Sequence, residues 1–106
     1  MNIAIVSKGN TDTSVMDDHF GRCLFFAIYS SDNNEWTFVK NPGHEAPNGA
    51  GSKAAEVLGD HNVKAVISPE FGPKAKYMLE TLKIEMIIED KAGTNINEVV
   101  ASHISG

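Results

Sequence analysis

The spacing of apolar and polar residues divides the chain into short strands, then helices, separated by Gly- and Pro-rich loops. Residues 2–6 (NIAIV) are apolar on both alternating faces, the pattern of a central strand covered on both sides. Residues 7–22 (SKGNTDTSVMDDHFGR) carry neither helical nor strand period. A loop this long in a small chain is usually functional; the alternative is a mobile surface loop. Residues 23–30 (CLFFAIYS) alternate again, with Leu24, Phe26 and Ile28 on one face and Phe25, Ala27 and Tyr29 on the other. The run Ser31-Asp32-Asn33-Asn34 is a turn signal, and Glu35–Lys40 alternates as a return strand, which predicts an antiparallel hairpin. Trp36 is read as a packing residue.

From residue 41 onward the period becomes helical. Residues 41–51 (NPGHEAPNGAG) forbid regular structure and let backbone approach a ligand. Ser52 is placed to cap a helix that carries Ala54, Ala55, Val57 and Leu58 on one side and ends near Gly59. Val63–Ile67 predicts a fourth strand. In the following Ser68-Pro69-Glu70-Phe71-Gly72-Pro73, Gly72 marks a bend and Pro73 suits a first helical turn. Ala75, Met78, Leu79 and Leu82 then recur at i, i+3, i+4 and i+7, an amphipathic helix. Residues 84–88 (IEMII) predict a fifth strand and 89–93 a turn. Thr94 is placed to cap a third helix whose Ile96, Val99, Val100 and His103 share a face.

The order ββ β α β α β α predicts an α/β fold with a five-stranded mixed sheet. Strand-helix-strand units form right-handed crossovers between parallel strands, and strand two runs against the others. With that parity, segments 7–22, 41–52 and 68–74 and the turn 89–94 all emerge at one sheet edge, where open α/β sheets bind ligands. Two predicted helices, starting at Ser52 and Pro73, point their amino ends there and offer N–H groups to an anion.

Composition narrows the possibilities. With 106 residues, 42% hydrophobic and 22% charged, residues 1–106 are expected to form a single globular domain. Neither a secretory signal nor a membrane span is expected, and a cytoplasmic location follows as the default. The formal charge of −5, with nine Lys and Arg scattered along the chain, argues against nucleic acid as a partner. A single cysteine excludes an intramolecular disulfide. Cys23 is therefore a free thiol, a ligand or half of an intermolecular pair. No nucleophile elbow, dinucleotide fingerprint or phosphate loop occurs, so acyl transfer, hydride transfer and nucleotide hydrolysis find no support.

The candidate chemistry concentrates in Asp18-His19-Phe20-Gly21-Arg22-Cys23, which joins an imidazole, a guanidinium and the lone thiol. Nitrogen and sulfur donors suit a metal centre, and the guanidinium and Gly21 suit a small anion approaching the backbone. Cys23 admits a second reading, a buried small hydrophobe. In a polar loop, His19 is the better ligand candidate. His44 is either auxiliary or solvated, His61 and His103 are read as structural, and Met16 as packing rather than pocket lining.

These residues, with Asn41-Pro42, Asn48-Gly49-Ala50-Gly51 and Gly72-Pro73-Lys74-Ala75, resemble the dinitrogenase iron-molybdenum cofactor biosynthesis family over nearly the whole chain. The resemblance implies a ribonuclease H-like three-layer fold and a carrier of iron-sulfur or molybdenum-containing cluster precursors, including molybdenum-copper-sulfur species, rather than an enzyme. It makes His19 and Cys23 metal ligands and puts Phe20, Gly21, Arg22, Asn48, Gly49, Gly51 and Gly72 around the cluster. Donor and acceptor proteins become the expected partners of a monomer, or of a dimer sharing a cluster, since one His and one Cys are too few for a cluster that usually takes four thiolates. Glu70, at a position where the family pattern calls for a smaller or neutral residue, could repel an anion. Two other readings stand beside the carrier. One is a regulatory or interaction module without a cluster. The other is a two-metal nuclease drawing on Asp17, Asp18, Glu70, Glu89 and Asp90.

Overall fold

The structure is a computed structural model, and it describes residues 1–104. The elements run β1 (Asn2–Ser7), β2 (Phe25–Ser30), β3 (Glu35–Lys40), α1 (Ala50–Asp60), β4 (Val63–Ser68), α2 (Pro73–Thr81), β5 (Glu85–Ile88) and α3 (Ile96–Ile104). The five strands form one mixed sheet in the order β3-β2-β1-β4-β5. β2 is antiparallel to both β1 and β3, and β4 is parallel to β1 and β5. The expected α/β architecture and strand parity are those observed.

β1 lies at the centre because both of its faces are apolar. Ile3, Ala4, Ile5 and Val6 are all buried. The register assigns the faces: Val6 stands beside Phe26 and Val39, whereas Ile3 stands beside Tyr29 and Trp36. On the first face Phe26 meets the ring of Phe20, which in turn meets Phe71 just before α2. Here α1 and α2 pack together so closely that a Cβ on Gly51 would stand 3.2 Å from the Cβ of Ala75. On the second face, Trp36 donates from Nε1 to Asn97 Oδ1 of α3 at 3.2 Å. Helices thus cover both faces, which makes three layers.

Several boundaries differ from the sequence expectation. β2 begins at Phe25, not Cys23, because the Cys23 carbonyl is taken by the side chain of Asn41 at 2.9 Å and leaves the ladder. α1 begins at Ala50 rather than after a Ser52 cap. Its N-cap is Gly49 at φ 69°, a left-handed conformation that glycine adopts without strain. Asn95, not Thr94, caps α3, its Oδ1 accepting the Asn97 N–H at 2.8 Å. The loop after β1 has order of its own. Met16 is buried and bridges Ser7, Val15 bridges Asn95, and Met16 exchanges backbone hydrogen bonds with Gly93 and Thr94. The middle of that loop is stitched to the segment before α3, which fixes the origin of the HFGRC stretch.

Candidate functional site

A cleft of about 610 Å³ opens outside the carboxyl ends of β1 and β4. His19, Gly21 and Arg22 from the loop after β1 line it, with Gly51 of α1, Glu70 and Gly72 of the β4–α2 connection, and Pro73, Lys74 and Ala75 of α2. Three of the four segments expected to converge therefore do. The turn 89–94 lies outside the lining; its Gly93 and Thr94 pair with Met16 instead.

Both helix starts at the cleft are bare. Neither α1 nor α2 has a side-chain cap or an acidic residue in its first turn. The first N–H groups of a helix have no intrahelical partner, and the helix dipole makes them electropositive. Backbone crowds together here: a Cβ on Gly21 would come within 3.3 Å of the Gly51 nitrogen. A Cβ on Gly72, by contrast, meets nothing within 4 Å and would occupy the open space of the cleft.

A second loop clamps the HFGRC stretch from behind. Asn41 is buried and donates through Nδ2 to the carbonyls of Gly21 (3.0 Å) and Cys23 (2.9 Å), while its Oδ1 accepts the Gly43 N–H (2.9 Å). Arg22 donates from Nη1 to the carbonyls of Gly43 and Ala46. The Arg22 carbonyl accepts from His44 Nδ1 at 2.8 Å. Gly43 admits no side chain, since a Cβ there would lie 2.5 Å from the Ala50 oxygen and 2.7 Å from that of Gly21. These contacts leave the Arg22 guanidinium partly engaged with carbonyls.

The predicted site residues separate into two groups. His19, Gly21, Arg22, Gly51 and Gly72 line the cleft; Phe20, Cys23, Asn48 and Gly49 do not. Phe20 is fully buried between Phe26 and Phe71, so its role is packing. Cys23 is fully buried as well, its Sγ donating to the Phe20 carbonyl at 3.4 Å. Burial raises its pKa strongly and the nearby Asp17 charge adds to the rise, which holds the sulfur as a neutral thiol. The thiol is thus withheld from the cleft, and the buried-hydrophobe reading describes its position. Asn48 and Gly49 are exposed on the approach to α1. His44 borders a separate, smaller cavity, His61 bonds the Val57 carbonyl, and His103 pairs with Glu89.

Two residues in the cleft were underestimated from sequence. Lys74 supplies an exposed positive charge beside the α2 amino end, a role legible only in its place after Pro73. Glu70 does not stand apart in the cleft: its Oε1 lies 3.1 Å from His19 Nδ1, with both side chains half exposed or more. Among the described residues, no three His, Cys, Asp or Glu side chains converge as a metal-chelating group. The cleft thus brings together the α1 and α2 amino ends, Lys74, Arg22, Glu70 and a single imidazole.

The model of the family described as "dinitrogenase iron-molybdenum cofactor" matches residues 1–106. The chain belongs to that family. Among solved structures, this family member superposes on the apo form of the orange protein from Desulfovibrio gigas with TM-score 0.92 and 25% identity, covering 99% of this chain and 88% of that one. It also matches a putative NifB protein from Thermotoga with TM-score 0.78 and 26% identity, over 96% and 86% of the two chains. An uncharacterized protein of Methanocaldococcus jannaschii is 29% identical over 99 residues, spanning 90% of this chain and 81% of the relative. Family and neighbours together support a role connected with a metal cofactor or cluster. No helix among the described residues is long and apolar enough to cross a membrane.

Proposed function

We propose that this protein is a non-catalytic carrier that holds an iron-sulfur or molybdenum-containing cluster precursor as cargo and passes it between donor and acceptor proteins of cofactor assembly in the cytoplasm. The observation that carries the reading is the meeting of two uncapped helix starts with His19 in one cleft. A preassembled sulfide-rich anion brings most of its own ligands and needs little from the protein beyond charge, hydrogen bonds and one or two donors. The residues present fit such cargo. The first-turn N–H groups of α1 and α2 and the Lys74 ammonium face its negative charge, His19 offers a nitrogen, and the space at Gly72 accommodates bulk.

A bare metal ion fits less well, since no three chelating side chains converge among the described residues. Weak protein ligation also agrees with a carrier's task, which includes release. A cluster shared between two copies would complete the coordination that one imidazole leaves open.

The test is anaerobic reconstitution with iron and sulfide, and separately with tetrathiomolybdate with and without copper, followed by desalting, visible absorbance and metal analysis. Retention of one species near one equivalent supports the carrier. Loss of every species from folded protein supports an interaction module instead.

A further inference from the structure

Glu70 carries an acid into an otherwise electropositive cleft, and its geometry gives that acid a use. Its Oε1 lies 3.1 Å from His19 Nδ1, across 51 residues of sequence. An ionised carboxylate has no proton to donate, so a hydrogen bond between these atoms places the proton on Nδ1. A neutral imidazole protonated at Nδ1 keeps its unshared pair on Nε2. The partner of one ring nitrogen decides which nitrogen is left for a metal.

We infer that Glu70 is a positioning residue: it fixes His19 as the Nδ1–H tautomer and orients the ring so that Nε2 is the donor presented to cargo in the cleft. The inference rests on the carrier reading only for the identity of that cargo. The tautomer itself is a property of the protein alone. Glu70 and His19 both line the cleft, and among the described residues the His19 ring makes no other hydrogen bond that would fix its tautomer.

This account and simple electrostatics predict opposite signs. If Glu70 only repelled an anion, removing it would tighten binding. If it positions His19, removing it weakens binding despite the relief of repulsion. Outer-shell partners of metal-bound histidines typically contribute about 10- to 100-fold in affinity.

The first test is long-range proton–nitrogen correlation NMR on protein without cargo, at about pH 8, where imidazoles are mostly neutral. Wild type is expected to show a protonated, pyrrole-type Nδ1 and a pyridine-type Nε2 at His19. Glu70→Ala is expected to shift the His19 proton toward Nε2. His44 and His61 serve as internal controls: their Nδ1 atoms bond carbonyls of Arg22 and Val57, and both rings should stay unchanged. A wild-type His19 protonated mainly at Nε2, or one unchanged in Glu70→Ala, overturns the inference.

The second test is retention of tetrathiomolybdate or the iron-sulfide species by wild type, Glu70→Ala and His19→Ala. A weakening of about 10- to 100-fold in Glu70→Ala, with a loss at least as large in His19→Ala, supports the positioning role. Unchanged or tighter binding in Glu70→Ala, with loss in His19→Ala, overturns it. If His19→Ala retains cargo as well as wild type, the ligand reading of His19 fails, whereas the NMR result still decides the tautomer.

Discussion

Replacing Asn41 by alanine removes a side chain that is 1% exposed and joins the two loops behind the cleft. Three backbone groups lose their partner: the carbonyls of Gly21 and Cys23, and the N–H of Gly43. A buried polar group left unsatisfied costs about 1–3 kcal/mol, and water can reach the partly exposed Gly21, so the two groups that stay dry cost about 2–6 kcal/mol together. Domains of this size have about 5–15 kcal/mol in all, so the variant should be folded but fragile. At roughly 4–8 °C per kcal/mol, the thermal midpoint should fall by at least about 8 °C. Equilibrium urea unfolding, followed by circular dichroism and by Trp36 fluorescence, measures the difference directly. Asn41→Asp should be at least as damaging, because it keeps the acceptor for Gly43 but turns a negative charge toward two carbonyls. A loss below about 1 kcal/mol in Asn41→Ala would refute the claim that this side chain holds the two loops together.

Other consequences can be checked as simply. Gly43→Ala should destabilise by about 1–3 kcal/mol in the same urea assay, since the added methyl meets two carbonyl oxygens; an unchanged midpoint would contradict the packing. Cys23 should resist thiol reagents in folded protein and react fully in urea. Its folded pKa is raised, so the unfolded chain loses the thiol proton first. Stability attributable to Cys23 is complete below about pH 8.5 and should fall above it, by up to about 1.4 kcal/mol per pH unit. Cys23→Ala should lack that part of the slope, and parallel pH profiles for the two proteins would disprove it. His19→Ala, at an exposed position, should leave the unfolding free energy from urea titration within about 0.5 kcal/mol of wild type.

Local patterns in the sequence revealed most of the fold because they are local in origin. The apolar run of β1, the β2–β3 alternation and Pro73 at the start of α2 each express a single element's needs. What failed were features decided by a backbone conformation or by a distant partner. Ser52 looked like a cap, but the left-handed Gly49 starts α1 earlier. Cys23 looked like the first residue of a strand, but the Asn41 side chain takes its carbonyl from the ladder. Phe20 shares its pentapeptide with His19, yet faces the opposite way into the core, and sequence proximity could not separate the two. The His19–Glu70 contact was illegible for the same reason, since it joins two loops at a sheet edge. The cleft was legible as a place, through the topology that brings three loops together, but not as a set of contacts.

The carrier account depends most on His19, and one comparison tests it. Wild type, His19→Ala and His61→Ala are reconstituted anaerobically in parallel with iron and sulfide and with tetrathiomolybdate with and without copper. Each is then desalted and measured for visible absorbance and metal content. The account predicts a retained chromophore in wild type and His61→Ala, and its loss in His19→Ala. Equal retention in the two variants would contradict the cleft as the cargo site.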